Sequence, residues 1–133
     1  LLDSRVVEAE GVDALTIANT YPAMALDFRS GKSRLGNATG GLSGPAIKPI
    51  TLRLVWEAGK TVKIPIIGLG GVETVFDVLD YISVGAACVQ VGTASFTDPR
   101  ASERLAGGLR RAFFELNLFN INELRGNFSA EIG

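Results

Sequence analysis

Three short apolar runs, each followed by a turn and then by a helical pattern, restrict the fold of this chain more than any other feature. The runs are ALTIAN (14–19), KIPIIGL (63–69) and ACVQVG (87–92). Strand–helix alternation predicts parallel strands, because parallel neighbours are joined by long crossovers that are usually helical. The runs are apolar at most positions, which is typical of strands buried on both faces. The pattern therefore predicts an α/β fold.

Apolar spacing and capping residues predict the helices between these strands. Residues 1–11 resemble the end of a helix that stops at Gly11, and Pro49 fits the first turn of a helix that ends near Gly59. Thr74 can cap the next helix, and Asp98 can cap a long last one. The inward face of the Pro49 helix is predicted to consist of Thr51, Leu54, Val55 and Ala58.

Two further segments lie outside this alternation. Residues 20–44 are polar and rich in glycine, without a helical period, so they are predicted as a long loop of the kind that is usually functional. Near the end of the chain, Asn120 and Glu123 have the spacing of a capping box, which predicts a last short helix ending at Gly126.

Composition limits the class of protein. The 133 residues carry a net charge of −1 and contain 47% hydrophobic residues, so no charge excess favours nucleic acid, and no apolar stretch is long enough to span a membrane. A single cysteine excludes an internal disulfide and suits a reducing compartment, which predicts a cytoplasmic protein. The absence of histidine excludes His-based triads and His metal sites, and we expect no metal.

The chain is predicted to form one domain over residues 1–133, because no linker or second compositional regime divides it. It opens on Leu1 within a helical pattern, so we expect a fragment or a domain cut from a longer protein. A sheet with only three such units would leave two open edges, so on its own the chain is expected to associate or to be poorly stable.

Several single residues are interpreted as structural. Cys88 is flanked by apolar residues at the start of a strand and is predicted to lie in the core. Lys48 could meet a phosphate, but a solvated lysine before a proline is the preferred interpretation. Asp77 and Asp80 are predicted to form a solvated helix face, and Trp56 to contribute packing.

The glycines at two strand ends indicate a binding site. Gly70 and Gly71 follow the second run, and Gly92 and Thr93 follow the third. Glycine permits positive φ values and close approach to the backbone, and the start of the following helix favours anions, above all phosphate. (β/α)₈ barrels often bind phosphate in the loops after their seventh and eighth strands. A plain structural turn remains the alternative at each position.

Two other strand-end observations bear on the choice of fold. A dinucleotide-binding fold would place an acidic residue at the end of the next strand, whereas this strand carries Gln90 there. Asn19 and Thr20 end the first strand, where the active sites of barrels lie, although a turn pair would explain them equally well.

Four segments together resemble the dihydroorotate dehydrogenases: LTIANT (15–20), NATGGLSGPAIKPITLRLV (37–55), IPIIGLGGV (64–72) and VQVGTASFTDP (89–99). The segment GGLSGPAIKP is most similar to the sequence of the NAD-linked type. The resemblance covers nearly the whole chain but matches only strands six to eight of that family's (β/α)₈ TIM barrel. It therefore implies the C-terminal portion of such a barrel, about three βα units long.

The resemblance assigns roles to nine residues. Asn19 and Thr20 match a pair that binds the pyrimidine substrate. The positions that match FMN contacts are Ala18, Ser43, Gly44, Gly70, Gly71, Gly92 and Thr93. Ala18 is smaller than the residue usual in the family, and the segment TYPAMALD (20–27) also departs from the family's commoner sequence. No catalytic residue is assigned, because the family's base is a cysteine of the N-terminal half and Cys88 lies on a different strand; the segment alone is expected to be inactive.

The activity implied is the FMN-dependent oxidation of dihydroorotate to orotate in pyrimidine biosynthesis. The implied partners are the N-terminal half of the barrel, further copies of the chain, and an electron-transfer subunit with FAD and iron–sulfur clusters. Two alternatives stay open. One is a barrel similar to dihydropyrimidine dehydrogenase, and the other is a phosphate-binding (β/α) segment without redox activity.

Overall fold

The structure is a computed structural model that describes residues 4–131. Residues 1–3, the first part of the predicted opening helix, lie outside that range. The helices and strands are α1 (Ser4–Ala9), β1 (Leu15–Ile17), β2 (Tyr21–Ala23), β3 (Leu26–Asp27), β4 (Lys32–Ser33), β5 (Gly40–Leu42), α2 (Lys48–Gly59), β6 (Ile66–Leu69), α3 (Val75–Ser83), β7 (Cys88–Gln90), α4 (Ala94–Thr97) and α5 (Ala101–Glu115). Short 3₁₀ turns occupy Pro45–Ile47 and Ile121–Glu123.

The centre of the fold is a parallel sheet in the order β1-β6-β7. Ile67 pairs with Thr16 on one side and with Cys88 on the other, and both pairings are parallel. The predicted order of the three apolar runs is therefore confirmed, and the α/β class with it. The strands are shorter than the apolar runs because the ends of each run lie in the adjoining turns.

The core lies between this sheet and the helices that cover one of its faces. Large buried apolar side chains come from α2, β6, α3 and α5: Val55, Ile66, Tyr81, Ile82 and Leu105. The Tyr81 ring covers Gly68, where an added Cβ would lie 2.5 Å from the ring. The Tyr81 hydroxyl donates a 2.7 Å hydrogen bond to the carbonyl of Gly70, and burial raises the pKa of Tyr81 to about 12.

The prediction of a plain loop over residues 20–44 is wrong in part. β2 pairs with β5, and β3 pairs with β4, each as a short antiparallel ladder. These strands escaped detection because they are two or three residues long and because β5 contains Gly40 and Gly41, which carry no β signal. A Cβ at Gly41 would overlap the Thr20 side chain, so the close packing of β5 against the residue before β2 requires glycine there.

Of three predicted helix starts, one is shifted by a residue, one has a different cap and one is confirmed. The α2 helix begins at Lys48, one residue before Pro49, because the 3₁₀ turn leads directly into it. Asp98 does not cap α5: the helix starts at Ala101, and the Asp98 carboxylate accepts a hydrogen bond from the N–H of Arg100. The capping box of Asn120 and Glu123 is present as predicted, although it opens a 3₁₀ turn.

Cys88 is exposed, so its predicted place in the core is wrong. β7 is an edge strand of the sheet, and Cys88 shares a face with Thr16 and Ile67. The helices cover the opposite face, to which Val89 belongs. The sequence pattern could not show this, because a strand with two apolar faces gives no sign of which face a partner covers.

The start of α3 is held by reciprocal hydrogen bonds. The Thr74 hydroxyl accepts from the N–H of Asp77 at 3.2 Å, and the Asp77 carboxylate accepts from the N–H of Thr74 at 2.7 Å and from that of Glu73 at 3.0 Å. Thr74 is thus the predicted cap. Lys48 forms ion pairs with both Asp77 and Asp80. The prediction of a solvated residue is therefore wrong for Lys48 and for Asp77, whereas Asp80 is exposed as predicted.

This environment shifts the titration of Asp77. Partial burial acts to raise the pKa of the carboxyl group. The hydrogen bonds from Lys48, Glu73 and Thr74 outweigh that effect and lower the pKa to about 2.

Two adjacent glycines of α5 provide a matched test of helix packing. Gly107 has open space around an added Cβ, whereas a Cβ at Gly108 would overlap a methyl group of Val75 in α3. Gly107→Ala should raise the free energy of unfolding by about 0.5–1 kcal/mol because alanine favours the helix. Gly108→Ala should instead lower it by about 1–3 kcal/mol through overpacking. Urea unfolding of the complete protein measures both, and equal shifts would contradict this packing.

The Asp77 pKa predicts a pH dependence of stability. Because the folded-state pKa is depressed, the stabilisation is present above pH 3.8, the ordinary value, and is lost as the pH falls towards 2. Asp77→Asn should therefore cost about 2 kcal/mol near neutral pH, and the gap to wild type should close between about pH 5 and pH 2. Urea midpoints across that range measure it. Glu57→Gln, at an exposed ion pair with Arg53, is the control whose gap stays small throughout.

Candidate active site

A pocket opens at the carboxyl ends of the three parallel strands. All nine residues that the sequence assigned to binding line it, together with five others. The full lining is Ala18, Asn19, Thr20, Ser43, Gly44, Ile47, Leu69, Gly70, Gly71, Val72, Glu73, Gly92, Thr93 and Ala94. Parallel strands bring their carboxyl ends to one edge, which is why residues up to 76 positions apart in the chain (18 and 94) meet here.

The end of β1 forms the first wall. The N–H of Ala18 donates a 3.0 Å hydrogen bond to the carbonyl of Leu69, which extends the sheet pairing past the strand. The Asn19 side-chain oxygen accepts from the N–H of Thr20 at 2.7 Å, so the carboxamide is oriented by its own backbone. Both Asn19 and Thr20 are exposed, and their remaining polar groups can therefore reach a ligand.

The segment after β5 forms the second wall. Gly44 has a φ of +85°, a conformation that favours glycine, and its carbonyl accepts a hydrogen bond from the N–H of Ile47 at 3.2 Å. This bond closes the 3₁₀ turn that leads into α2. Ser43, directly before it, lies on the pocket side.

Gly70 and Gly71 form the floor, and the neighbouring backbone and side-chain atoms leave no space for side chains on them. A Cβ at Gly71 would lie 2.8 Å from the carbonyl oxygen of Gly44 and 2.9 Å from the Cβ of Lys48. A Cβ at Gly70 would lie 2.8 Å from the Thr51 hydroxyl oxygen. Their φ values are +151° and +67°. The fold itself therefore requires both glycines, whether or not a ligand binds.

Gly92 and Thr93 differ from that pair because they face open space. The nearest atom to an added Cβ at Gly92 is a methyl carbon of Leu69 at 3.8 Å, an ordinary contact. Both residues are exposed, and neither has a positive φ. Packing inside the described chain does not explain a glycine at position 92, and its open surroundings leave room for a ligand to approach the backbone.

Free backbone donors surround this space. At the ends of β6 and β7, the N–H groups of Gly71, Val72, Gly92 and Thr93 donate no hydrogen bond within residues 4–131. The backbone N–H groups at the start of α3 are less available to an anion than the sequence indicated, because those of Glu73 and Thr74 already donate to the Asp77 carboxylate. The available donors thus belong to the turns rather than to the helix end.

Sequence patterns did not predict the apolar part of the lining or Glu73. Ile47, Leu69 and Val72 each adjoin or lie near an assigned residue, and that proximity was the signal that could have identified them. Glu73 is the one charged residue among the lining residues, and no cation lies there. An anion bound in this pocket would therefore be held by N–H groups and hydroxyls rather than by lysine or arginine.

The pocket is too small for a whole cofactor. It encloses about 150 Å³, compared with roughly 300–1,000 Å³ for typical ligand sites. Among the described residues, no group of His, Cys, Asp and Glu side chains could hold a metal ion. None of the helices in residues 4–131 has the length and apolar character needed to cross a bilayer.

Comparison with known proteins gives one family. The family model described as dihydroorotate dehydrogenase matches residues 3–113. The catalytic subunit of dihydroorotate dehydrogenase B (NAD(+)) from Thermodesulfovibrio yellowstonii is 46% identical over 127 residues, which are 96% of this chain and 42% of that protein. The subunit of the same name from Pelobacter propionicus is 48% identical over 116 residues, covering 87% of this chain and 38% of its own length.

A solved structure agrees with this result. DHODH from Eimeria tenella, in complex with ferulenol, superposes with a TM-score of 0.74 at 28% identity and covers 93% of this chain and 33% of its own. The chain thus spans about two fifths of the length of the curated relatives it matches. Since the family model covers most of the sequence and the fold agrees, the chain belongs to the dihydroorotate dehydrogenase family.

Proposed function

We propose that this chain is the C-terminal, three-unit part of a (β/α)₈ dihydroorotate dehydrogenase barrel, strands six to eight, and that it supplies the phosphate site of FMN and part of the substrate site. The observation that carries the proposal is the meeting of all nine assigned residues in one pocket at the carboxyl ends of the strands. Active sites of such barrels lie at that end of the strands.

The form of the sheet supports the barrel portion. An apolar groove lies beside β1, at the first edge, and contains Leu15, Ile17 and Leu54. A second groove lies beside β7, at the other edge, and contains Val89, Val91 and Leu109. Strands added at both edges would close the barrel and cover these grooves, and the small volume of the pocket agrees with a site completed by further chain.

The residues present fit the phosphate group of FMN. The N–H groups of Gly71, Val72, Gly92 and Thr93 are unpaired within the described chain, and Thr93 adds a hydroxyl donor. Gly92 is open and unexplained by packing. When bound, FMN supplies the electron acceptor for the oxidation, while Ala18, Ser43 and Gly44 would contact its other parts.

Asn19 and Thr20 are proposed to bind the pyrimidine. Their positions at the mouth of the pocket give them an oriented carboxamide and a hydroxyl, groups that recognise the carbonyl and N–H edges of a pyrimidine ring. The complete protein would oxidise dihydroorotate to orotate in the cytoplasm. We assign no catalytic base to the described residues, so the segment alone is proposed to be inactive.

The name "catalytic subunit" carried by the relatives supports a separate partner subunit. We propose an electron-transfer subunit with FAD and iron–sulfur clusters, and association with further copies of the chain. The proposed single domain over residues 1–133 would then be one part of the barrel rather than an independent enzyme.

The decisive variant is Gly92→Val rather than a change at Gly70 or Gly71, which the fold requires. A side chain at position 92 has room within the chain but enters the space of the proposed phosphate. In the complete protein, Gly92→Val should lose most bound flavin, and Thr93→Ala should weaken binding by about 1.5–3 kcal/mol, the value of a hydrogen bond to a charged group. The measurement is flavin absorbance per chain after purification, with thermal unfolding as a check on folding.

Gly36→Val is the matched control, because an added Cβ at Gly36 also meets nothing within 4 Å but lies outside the pocket. It should retain full flavin content. Full occupancy in Gly92→Val would refute the phosphate site. A colourless wild-type protein that binds inorganic phosphate would favour a non-redox phosphate barrel instead.

A further inference from the structure

Lys48 lies next to the proposed phosphate site without lining it. Its ammonium group is 2.6 Å from a carboxylate oxygen of Asp80 and is also paired with Asp77. Only 20% of its side chain is exposed, and Asp77 is exposed to 14%. A lysine in this position would be expected to form an ion pair with the phosphate, but both of its observed partners are carboxylates.

Lys48 contacts the Gly70–Gly71 turn and the start of α3 that follows it. Its Cβ and backbone N lie against Gly71, where an added Cβ would be 2.9 Å and 3.1 Å away. Its other end binds Asp77, which holds the N–H groups of Glu73 and Thr74 just after that turn. Lys48 therefore contacts the Gly70–Gly71 turn at its start and, through Asp77, at its end.

The charges give a second reason for this arrangement. Asp77 lies in the first turn of α3 and Asp80 about one turn further along, and Asp77 binds the N–H of Glu73, which lines the pocket where a dianion is proposed to bind. Two uncompensated carboxylates there would repel a phosphate, since the interaction between partly buried charges is only weakly screened. Lys48 offsets this charge while leaving the turn N–H groups free.

We propose that Lys48 is a positioning residue for the phosphate site: it holds the Gly70–Gly71 turn in its binding geometry and offsets half of the charge of the two carboxylates beside it. The inference rests on the proposed function, because it concerns the same anion. A purely structural ion pair would stabilise the fold without distinguishing a phosphorylated ligand from one that lacks phosphate.

FMN and riboflavin separate these two roles, since they share the ring and side chain and differ in the phosphate. In the complete protein stripped of flavin, Kd values for both are measured by quenching of flavin fluorescence. Lys48→Met should raise the Kd for FMN by about tenfold or more, as for loss of one or more interactions with a charged group. The Kd for riboflavin should change by less than about twofold to threefold.

Three variants complete the design. Lys48→Arg keeps the cation and should restore most of the FMN affinity. Asp77→Asn breaks the link from Lys48 to the turn by a near-isosteric change, leaves the pair with Asp80 and removes one negative charge. A selective loss of FMN affinity in this variant therefore reports the positioning role alone, and it keeps the test valid if Lys48→Met does not fold. Arg53→Met, at an exposed ion pair on the same helix, is the control and should alter neither Kd.

The outcomes are distinguishable. Selective loss of FMN affinity in Lys48→Met or Asp77→Asn supports the proposal. Equal weakening of FMN and riboflavin, or unchanged FMN affinity in folded variants, overturns it and leaves a structural ion pair. A wild-type protein that binds FMN no better than riboflavin overturns the proposed phosphate site, and this inference with it.

Discussion

The close contact between the Gly70–Gly71 turn and the segment from Gly44 to Lys48 is the constraint on which the site depends. The distances leave no room for a Cβ on either glycine, so the two backbones themselves form the floor of the pocket. The same contact orients the 3₁₀ turn that leads into α2. The Tyr81 hydroxyl donates a hydrogen bond to the Gly70 carbonyl and so holds the Gly70–Gly71 turn from the core side. Backbone-to-backbone packing of this kind exposes turn N–H groups at a fixed spacing, which is what recognition of an anion without a lysine or arginine requires.

The sheet explains how the site is assembled. Three parallel strands deliver their carboxyl ends to one edge, and the helices cover only one face. The other face carries the exposed Cys88 and Thr16, and apolar grooves flank both edge strands. Membership of the dihydroorotate dehydrogenase family accounts for these features together, because the relatives are more than twice as long as the matched region.

Local signals predicted much of the fold and the candidate site. The Thr74 cap and the Asn120–Glu123 capping box follow from interactions within a few residues, the strand order was predicted from the alternation of strands and helices along the chain, and the structure contains each of them. The resemblance placed nine residues in one site, and the structure brings them into one pocket. What failed depends on distant contacts: the β2–β5 ladder joins segments about 20 residues apart, and its glycines carry no strand propensity.

By itself, the sequence determined the alternation of strands and helices, the parallel sheet, and the positions of glycine at the strand ends, because apolar period and turn chemistry are local properties. Only the tertiary structure decided which of those glycines the fold requires and which a ligand would explain, since that depends on what lies opposite each Cβ. It also decided that Lys48 pairs with carboxylates 29 and 32 residues away (77 and 80), and that Cys88 lies outside the core. Such contacts form between elements that the sheet brings together, and no pattern of neighbouring residues encodes them.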